Sequence, residues 1–330
     1  MGTRLTLRVA IVGCGLIGQK RSRALPGARV VVCCDAVFDR AQSLARSTGA
    51  SCTSEWRDAV GREDVDVVIV ATTNDMLAPV TLAAIEAGKH VLVEKPAARS
   101  ADEVLPLIEA AARRDVRVRV GFNHRYHPAL LKARELVDSG ALGDLMFVRG
   151  RYGHGGRIGY DKEWRADPEK SGGGELIDQG VHLIDLARSF LGDFTSVEGF
   201  AKTYYWDMPV DDNAFLLLRT AREQTAFLHV SCTEWKNLFS LEIYGRVGKL
   251  QIDGLGGSYG TERLTFHRML PEMGPPETTA WEYPRGDQSW ELEFREFADD
   301  IALHRTPAAG LAEAHAALDV VKKIYEGSRA

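Results

Sequence analysis

The sequence has no long hydrophobic run, no excess of basic charge and no segment typical of a signal peptide in its first residues. No apolar segment approaches the length that a membrane-spanning helix needs. The first residues, Met1–Arg8, lack the apolar core of a secretory signal peptide. With 41 Lys and Arg against 46 Asp and Glu, the formal net charge is −5, which argues against a nucleic acid partner. We therefore expect a cytoplasmic protein whose 330 residues suffice for two domains.

Cysteine is also scarce. The five cysteines form no CxxC pair and no Cys/His ligand spacing. Such a scattered, odd-numbered set is typical of reduced thiols rather than of a disulfide framework. Cys14, Cys33 and Cys34 lie in apolar segments and are expected in the core as small hydrophobic residues.

The first third of the sequence alternates short β-branched segments with helical ones. Ala28–Cys34 and Val65–Ala71 are typical of buried strands, and the helical segment 77–87 ends at Gly88, a natural C-cap. Such alternation predicts a doubly wound parallel sheet. Because the pattern stops near Phe122, we predict a first domain at residues 1–122.

The remaining residues, 123–330, follow a different rhythm. Alternating apolar and polar segments predict a large open, mostly antiparallel sheet with one polar face. Helices are predicted at Pro128–Ser139, Glu175–Leu191 and twice near the C-terminus, where one helix can pack back on the first domain. The glycine-rich segment Gly254–Gly260 is expected at the end of a hairpin. The predicted strands are 145–152, 195–205, 214–219, 225–233 and 239–244.

A GxGxxG motif lies between the first strand and the first helix. Gly13 allows the tight turn, Gly15 lets the backbone approach a pyrophosphate, and Gly18 permits close packing of helix on strand. Phosphates would then lie at the helix N-terminus, where free N–H groups and the helix dipole favour anions. A purely structural glycine turn is the alternative. The context of strand, motif and helix favours a dinucleotide site.

Asp35 ends the second strand. A carboxylate there can accept hydrogen bonds from the ribose hydroxyls of the adenosine and repel a 2′-phosphate, so NAD is favoured over NADP. The alternative is a turn residue at the strand end.

Two further groups follow strands in this region. Thr72, Thr73 and Asn74 can line a cofactor crevice or cap the next helix, and the two roles are compatible. Lys95 follows the strand 90–93 and precedes Pro96, which cannot continue a ladder. Ligands of open α/β sheets bind at the carboxyl ends of strands, so this ammonium can serve as an acid or stabilise an alkoxide. The alternative is a salt-bridged lysine.

Asp178, His182 and Asp185 share one face of a predicted helix, since residues at i, i+4 and i+7 are aligned. Histidine titrates near neutrality and is the usual general acid or base. A metal site on the same residues is the competing hypothesis. No second histidine lies at ligand spacing, and we predict no metal.

Taken together, these motifs resemble the Gfo/Idh/MocA oxidoreductases, the group of glucose–fructose oxidoreductase and inositol dehydrogenase. The resemblance covers nearly the whole chain. It implies an N-terminal Rossmann domain and a C-terminal α+β domain whose open sheet commonly forms a homodimer or homotetramer interface. The motifs that carry it are Gly13–Gly18, Asp35, Glu94–Pro96, Gly121–Tyr126, Trp164–Arg165, Gly172–Gly174 and Asp178–Asp185.

The resemblance implies hydride transfer between nicotinamide and a secondary hydroxyl of a sugar, cyclitol or nucleotide sugar. His182 and Lys95 would flank the reacting carbon with Asp178 in support, and which of the first two is the formal base stays open. The implied cofactor-binding residues are Gly13, Gly15, Leu16, Ile17, Gly18, Asp35, Thr72, Thr73, Asn74, Glu94, Lys95, Asn123, Trp164 and Arg165. Further substrate candidates are Arg125, His154, Arg157, Tyr160, Asn213 and Trp235.

Two other functions fit the same resemblance. Some relatives are hydrolases that keep NAD bound and cleave a glycosidic bond through transient oxidation. Others bind dinucleotide as regulators without turnover. The presence of Lys95, Asp178 and His182 disfavours a non-catalytic regulator.

Overall fold

The structure, a computed structural model, describes residues 6–328, so the outer ends of both predicted domains and most of Met1–Arg8 lie outside the described residues. The chain divides into two compact units. One comprises the chain up to Phe122 together with Trp290–His315, and the other comprises Asn123–Ser289 together with the residues from Ala316 onward. Within residues 6–328, no helix is long and apolar enough to cross a membrane.

The first unit contains a six-stranded sheet in which all neighbours are parallel and the order is β3-β2-β1-β4-β5-β6. This is the predicted doubly wound arrangement. The strands are β1 (Leu7–Val12), β2 (Ala28–Cys34), β3 (Ser51–Thr53), β4 (Val67–Val70), β5 (His90–Val93) and β6 (Val118–Val120). The helices are α1 (Leu16–Arg23), α2 (Phe38–Thr48), α3 (Trp56–Val60), α4 (Asn74–Glu86) and α5 (Ala101–Arg114).

Burial explains why these strands could be predicted. Every residue of β4 is buried, as expected for a β-branched strand covered on both faces of a parallel sheet. Cys14, Cys33 and Cys34 are buried as predicted. The sequence analysis did not predict β3 and α3, which have three and five residues and are too short to show a period.

The second unit contains an eight-stranded sheet in the order β14-β13-β12-β11-β7-β10-β9-β8. All neighbours are antiparallel except β7 and β10, which run parallel. The strands are β7 (Leu145–Gly153), β8 (Phe194–Lys202), β9 (Asn213–Thr220), β10 (Thr225–Ser231), β11 (Leu238–Gly245), β12 (Gly248–Asp253), β13 (Glu262–Arg268) and β14 (Glu277–Tyr283). The helices of this part are α6 (Pro128–Asp138), α7 (Pro168–Ser171) and α8 (Val181–Leu191).

The mostly antiparallel sheet is as predicted, but its last three strands were missed. In β12 the buried Leu250 and Ile252 alternate with half-buried polar residues, so the signal was present in a short segment. β14 is largely exposed and carries no such alternation. Gly254–Gly260 connects β12 to β13, as predicted for the end of a hairpin.

The predicted continuous helix at Glu175–Leu191 is wrong in its first turn. Leu176–Gly180 forms a π-helical turn before α8 begins at Val181. At the start of this turn, the Asp211 carboxylate, 35 residues from Leu176, accepts hydrogen bonds from the backbone N–H groups of Gly174 (3.0 Å) and Leu176 (2.8 Å). Because a π turn is wider than an α turn, Asp178 and His182 are not related by a regular i, i+4 spacing.

The predicted second domain, 123–330, is interrupted. Two helices end the chain, α9 (Ser289–Ala302) and α10 (Leu311–Ser328), and the segment Trp290–His315 belongs to the first unit. Phe294 and Phe297 are fully buried there in one cluster with Ile11 and Ile69. The sequence analysis allowed one C-terminal helix to pack back on the first domain, but the amphipathic pattern of α9 does not say which helix does so.

Candidate functional site

The glycine loop between β1 and α1 has the close contacts that the motif predicts. Gly13 has φ +98°, and a Cβ built on it would lie 2.3 Å from the carbonyl oxygen of Ala71. A Cβ on Gly18 would lie 1.9 Å from the carbonyl oxygen of Gly13. Both positions therefore require glycine. A Cβ on Gly15 would meet no atom within 4 Å, so this glycine leaves open space at the N-terminus of α1.

That open space fits the pyrophosphate of a dinucleotide. The first N–H groups of α1, which begins at Leu16, have no partner within the helix and point out of its N-terminus. Their partial positive charge favours an anion. Leu16 itself is 70% exposed beside this turn. The residues present would hold a bound dinucleotide through backbone groups rather than through charged side chains.

Asp35 supports the loop directly. Its carboxylate accepts hydrogen bonds from the backbone N–H groups of Cys14 (2.8 Å) and Val37 (2.9 Å). The alternative role at the strand end is therefore present in the structure. The side chain is only half-buried, and its contact with a ribose stays a prediction.

The segment after β4 differs from the prediction in one detail. The helix α4 begins at Asn74 rather than at Leu77, so Thr73 occupies the N-cap position. The Thr73 hydroxyl donates to Asp75 Oδ1 (2.5 Å) and accepts no hydrogen bond from the helix backbone. Asn74 is buried in the first turn, and Thr72 donates to the carbonyl oxygen of Thr73.

Lys95 follows β5 in a tight turn. The Ala97 N–H donates to the carbonyl oxygen of Glu94 (2.9 Å), and the Lys95–Pro96 peptide bond is cis. The Glu94 N–H continues the ladder by donating to Val70 (2.9 Å). Lys95 thus lies just beyond the carboxyl end of β5, with a side chain that is neither fully buried nor fully exposed, and the role of its ammonium group stays a prediction.

Glu94, predicted to bind cofactor, is held by a residue that the sequence analysis missed. Arg21 of α1 is buried, and its Nε donates to Glu94 Oε1 (2.7 Å). The same guanidinium pairs with Glu293 of α9 and lies 4.4 Å from the Trp290 ring. Burial raises the pKa of the Glu293 carboxyl, although Arg21 opposes the shift.

This buried ion cluster also explains Gly121. A Cβ there would lie 2.7 Å from Arg21 Nη2 and 2.9 Å from Glu94 Oε2. The glycine of the segment Gly121–Tyr126 is therefore required by the ion cluster beside it. Arg21 follows the GxGxxG motif by three residues, a position at which a charged residue on a short helix gives no sign of burial.

In the second unit, His182 is buried on α8 and its imidazole stacks on that of His124. The ring centroids are 3.7 Å apart and the planes differ by 18°. Tyr152 approaches both rings edge-on, at 5.1 Å from His124 and 6.2 Å from His182. The sequence analysis identified His182 but gave no role to His124.

The two carboxylates that the sequence analysis aligned with His182 are each paired with an arginine. Asp178 accepts a hydrogen bond from Arg165 Nε (3.0 Å), and this carboxylate raises the pKa of Arg165. Asp185 is buried and accepts two hydrogen bonds from Arg125, at 2.7 and 2.5 Å. The Trp164 ring lies 4.6 Å from the Arg165 guanidinium.

A second polar cluster lies in the same unit. His154 Nδ1 accepts a hydrogen bond from the Gly156 N–H (2.9 Å), and its Nε2 is 3.6 Å from Glu175 Oε1. The Tyr160 hydroxyl donates to Glu175 Oε2 (3.4 Å). Burial lowers the pKa of the His154 imidazole, while Asp178 acts in the opposite direction. Glu175 was not among the predicted site residues, and its burial could not be seen in the sequence.

The structure does not bring the other substrate candidates into this cluster. Arg157 is exposed and forms an ion pair with Glu163 (2.6 Å). Trp235 is 65% exposed against the edge of Tyr205, so it does not stack in the core. Asn213 is buried and donates to Asp212 and Thr233.

The predicted residues thus fall into two sets. The first unit carries the glycine loop, Asp35, Thr72–Asn74 and Lys95, and the second carries Asp178 and His182 with Asn123. In the described part of the chain, no group of three or more His, Cys, Asp or Glu side chains is arranged to hold a metal ion.

The chain is similar to several known dehydrogenases. Curated relatives include levoglucosan dehydrogenase of Pseudarthrobacter phenanthrenivorans, 31% identical over 66% of this chain and 59% of the relative. Inositol 2-dehydrogenase 3 of Saccharopolyspora erythraea is 40% identical over 42% of this chain and 43% of the relative. The matches therefore span roughly half the length of these curated relatives.

Solved structures give the same fold over nearly the whole chain. Levoglucosan dehydrogenase in complex with NADH superposes with a TM-score of 0.88 at 25% identity, covering 98% of this chain and 97% of the other. An oxidoreductase domain protein from Kribbella flavida has a TM-score of 0.86 at 26% identity, with 98% and 97% covered.

Models of protein families complete the comparison. Residues 7–122 match an oxidoreductase family with an NAD-binding Rossmann fold, and residues 130–251 match the GFO/IDH/MocA C-terminal domain. These two matches together cover more than half of the chain and confirm the predicted fold and cofactor class. The chain belongs to the GFO/IDH/MocA family of NAD-binding oxidoreductases.

Proposed function

We propose that this protein is an NAD-dependent dehydrogenase that oxidises a secondary hydroxyl of a sugar, cyclitol or nucleotide sugar. The observation that carries the proposal is a buried imidazole, His182, in the unit that also carries the Asp178 carboxylate, in a chain whose other unit has an intact dinucleotide loop. The names of the relatives, levoglucosan dehydrogenase and inositol 2-dehydrogenase, support a polyhydroxylated substrate.

In the proposed reaction, NAD when bound supplies the hydride acceptor. His182 takes the proton of the substrate hydroxyl, so that loss of a proton and a hydride leaves a carbonyl group. Lys95 donates a hydrogen bond to the same oxygen and stabilises the negative charge that develops there. Asp178, fixed by Arg165, supports His182 electrostatically.

The cluster around Glu175 is the proposed site for other hydroxyls of the substrate. Since His154 Nδ1 accepts from Gly156, the neutral ring carries its proton on Nε2. This Nε2–H is a donor on a half-buried ring and can donate to a hydroxyl oxygen of the substrate. The Glu175 carboxylate beside it is fully buried, so it orients the ring rather than contacting the substrate. Arg157 and Trp235 are weaker candidates because they are exposed.

The preference for NAD over NADP rests on Asp35. Its carboxylate already binds two backbone N–H groups and keeps lone pairs toward solvent. A 2′-phosphate would meet this negative charge. We expect Asp35→Ala to weaken NAD binding and to reduce the discrimination against NADP, measured by titrating both cofactors.

A substrate panel tests the proposal. Cyclitols, free sugars and nucleotide sugars are each incubated with NAD, and NADH absorbance is followed. Steady NADH formation from one class supports the dehydrogenase. Release of a cleaved sugar without NADH would instead indicate a glycosidase with transient oxidation. NAD binding without turnover of any compound would indicate a regulator.

We also propose a cytoplasmic homodimer or homotetramer formed through the outer face of the second sheet. Four apolar side chains lie side by side there, with Phe227 opposite Leu217 and Phe200 opposite Phe215. Three of them, Phe200, Leu217 and Phe227, are 40–48% exposed. A patch of this kind marks an interaction surface. Phe227→Lys should lower the mass measured by light scattering, while Arg46→Ala, a change at an exposed residue of α2 in the first unit, should not.

A further inference from the structure

The stacked partner of His182 is part of a hydrogen-bond chain. His124 lies in a 3-10 turn, Asn123–Tyr126, that precedes α6. Its ring is buried, lies flat on the His182 ring, and has Phe239 at 6.1 Å edge-on. A flat contact at 3.7 Å restricts rotation of the His182 ring. Whether the His124 ring is neutral or charged therefore affects the His182 ring directly.

This chain of hydrogen bonds starts at a carboxylate, which determines which group donates in each bond. Ser289 Oγ is 2.5 Å from Asp287 Oδ1, and an ionised carboxylate can only accept, so the Ser289 hydroxyl donates to Asp287. The Ser289 oxygen is then available as an acceptor. It receives a hydrogen bond from Asn123 Nδ2 at 2.8 Å.

The orientation of Asn123 sets the tautomer of His124. With Nδ2 bound to Ser289, the amide oxygen Oδ1 faces His124 Nδ1 at 3.2 Å. The reversed amide would place two acceptor oxygens against each other at Ser289. Because Oδ1 only accepts, His124 Nδ1 carries a hydrogen. A carboxylate three hydrogen bonds away thus selects the Nδ1–H form of His124.

The carboxylates around the stacked pair are each paired with another side chain. His127 faces it edge-on at 5.7 Å, and the nearby carboxylates Glu262 and Asp287 lie against His127, at 3.0 and 3.8 Å. Near His182, Asp178 and Asp185 are paired with Arg165 and Arg125. Tyr152 also faces both rings, and burial raises the pKa of its hydroxyl well above the usual value.

We propose that His124 is a positioning residue for His182, held as a neutral Nδ1–H ring by Asn123, Ser289 and Asp287. Its consequence for catalysis rests on the proposed function, in which His182 gains a proton. A neutral neighbour at stacking distance does not oppose that charge, whereas an imidazolium would. The flat contact also fixes the orientation of the His182 imidazole.

Nitrogen-15 spectra of the full chain labelled at histidine test the tautomer. His124→Phe assigns the His124 signals. We expect an Nδ1–H pattern for His124 at neutral pH. In Ser289→Ala the Asn123 amide is free to rotate, so a mixture of tautomers is expected. Asp287→Asn is the matched control, since its amide oxygen still accepts from Ser289 and the wild-type pattern should persist.

Two results would overturn the proposal: an Nε2–H or doubly protonated His124 in the wild-type protein, or an unchanged pattern in Ser289→Ala. The measurement needs neither cofactor nor turnover. Its failure is therefore distinct from failure of the proposed function, which would appear as an absence of NADH formation across the substrate panel.

Kinetics of two His124 variants test the positioning role. The substrate is the compound of the panel that gives NADH. His124→Ala removes the stacking surface, and we expect kcat to fall by ~10²-fold, the scale of a misplaced catalytic group, with KM nearly unchanged. His124→Phe keeps a flat ring and should lose clearly less. Equal losses in the two variants, or a change confined to KM, would contradict positioning through the ring. Thermal unfolding of both variants verifies that each is folded.

Discussion

The two sheets of this protein place their functional groups by different means. In the first unit, a parallel sheet buried on both faces sets glycines in close backbone contact, and the candidate residues follow the strands β1, β2, β4 and β5. In the second unit, the sheet buries one face, and polar pairs between distant positions hold the candidates. Asp211 binds Gly174, Arg165 binds Asp178, and Ser289 binds Asn123. Short-range motifs therefore reveal the first kind of site better than the second.

The largest effect should come from the second unit. His182→Ala removes the proposed proton acceptor, and we expect kcat to fall by about 10²–10⁴-fold. NAD affinity should change little, because the dinucleotide loop belongs to the other unit. Steady-state kinetics and cofactor titration separate the two quantities.

The control is His267→Ala, which removes a histidine from the sheet strand β13. It should leave kcat near the wild-type value. If His182→Ala retained full kcat, the second unit would not supply the proton acceptor, and the division of roles between the two units would be wrong.

The next effect concerns stability in the first unit. Arg21→Met leaves the buried carboxylates of Glu94 and Glu293 without their cation. Breaking a buried ion pair from one side typically costs about 3–5 kcal/mol in the free energy of unfolding. Burial already raises the pKa of Glu293. Arg21 opposes this shift, so its removal raises the folded pKa of Glu293 further. A carboxyl with a raised folded pKa destabilises the fold as pH increases, so the loss in the variant should grow from acid to neutral pH.

Urea unfolding at two pH values measures this change. Arg23→Met alters an exposed arginine of the same helix and should stay within about 0.5 kcal/mol of the wild type. A loss of equal size in both variants would show that the helix, rather than the buried charge, is responsible. The buried ion cluster of Arg21 would then contribute little to the stability of the first unit beyond the backbone contacts described above.

Two glycines separate folding from binding. Gly18→Ala forces a Cβ to within 1.9 Å of a carbonyl oxygen, and overpacking of this kind costs about 1–3 kcal/mol. Gly15→Ala meets no protein atom and should leave the unfolding midpoint unchanged. Its methyl group projects into the space expected for phosphate, so NAD should bind at least about tenfold more weakly, or 1.4 kcal/mol.

Thermal unfolding and cofactor titration of both variants give the result. If Gly15→Ala bound NAD as tightly as the wild type, the dinucleotide would not lie against this loop.

The same contrast explains which features could be predicted from the sequence. The strands Val67–Val70 and His90–Val93 are continuous β-branched or apolar runs, and Lys95 stands where such a run ends. The π turn at Leu176–Gly180 begins beside hydrogen bonds to the distant Asp211, and His124 stacks on a residue of α8, so no local pattern reports either feature. Arg21 was missed for the same reason, since its partner Glu293 is 272 residues away.

The smallest expected effect is at an exposed ion pair of the first unit. Arg8 binds Asp66 through Nε (3.0 Å) and Nη2 (2.7 Å), and this hydrogen bonding lowers the pKa of the Asp66 carboxyl. Both side chains are about one-third exposed, so solvent screening keeps the contribution of this pair to stability small. Like the pair of Arg21 and Glu293, the pair of Arg8 and Asp66 joins positions far apart in the sequence. Unlike that pair, it is open to water, which can replace its hydrogen bonds.

Arg8→Ala therefore tests whether burial, rather than sequence separation, makes such pairs important. A carboxyl with a lowered folded pKa contributes stability above its unfolded pKa of about 3.9 and loses it as pH falls through the folded value. The difference between wild type and Arg8→Ala should be complete at pH 7 and disappear in acid, and Asp66→Asn should show the same trend. Urea midpoints across that range measure it. A loss near that of Arg21→Met would mean that exposed long-range pairs hold the first unit together as strongly as buried ones.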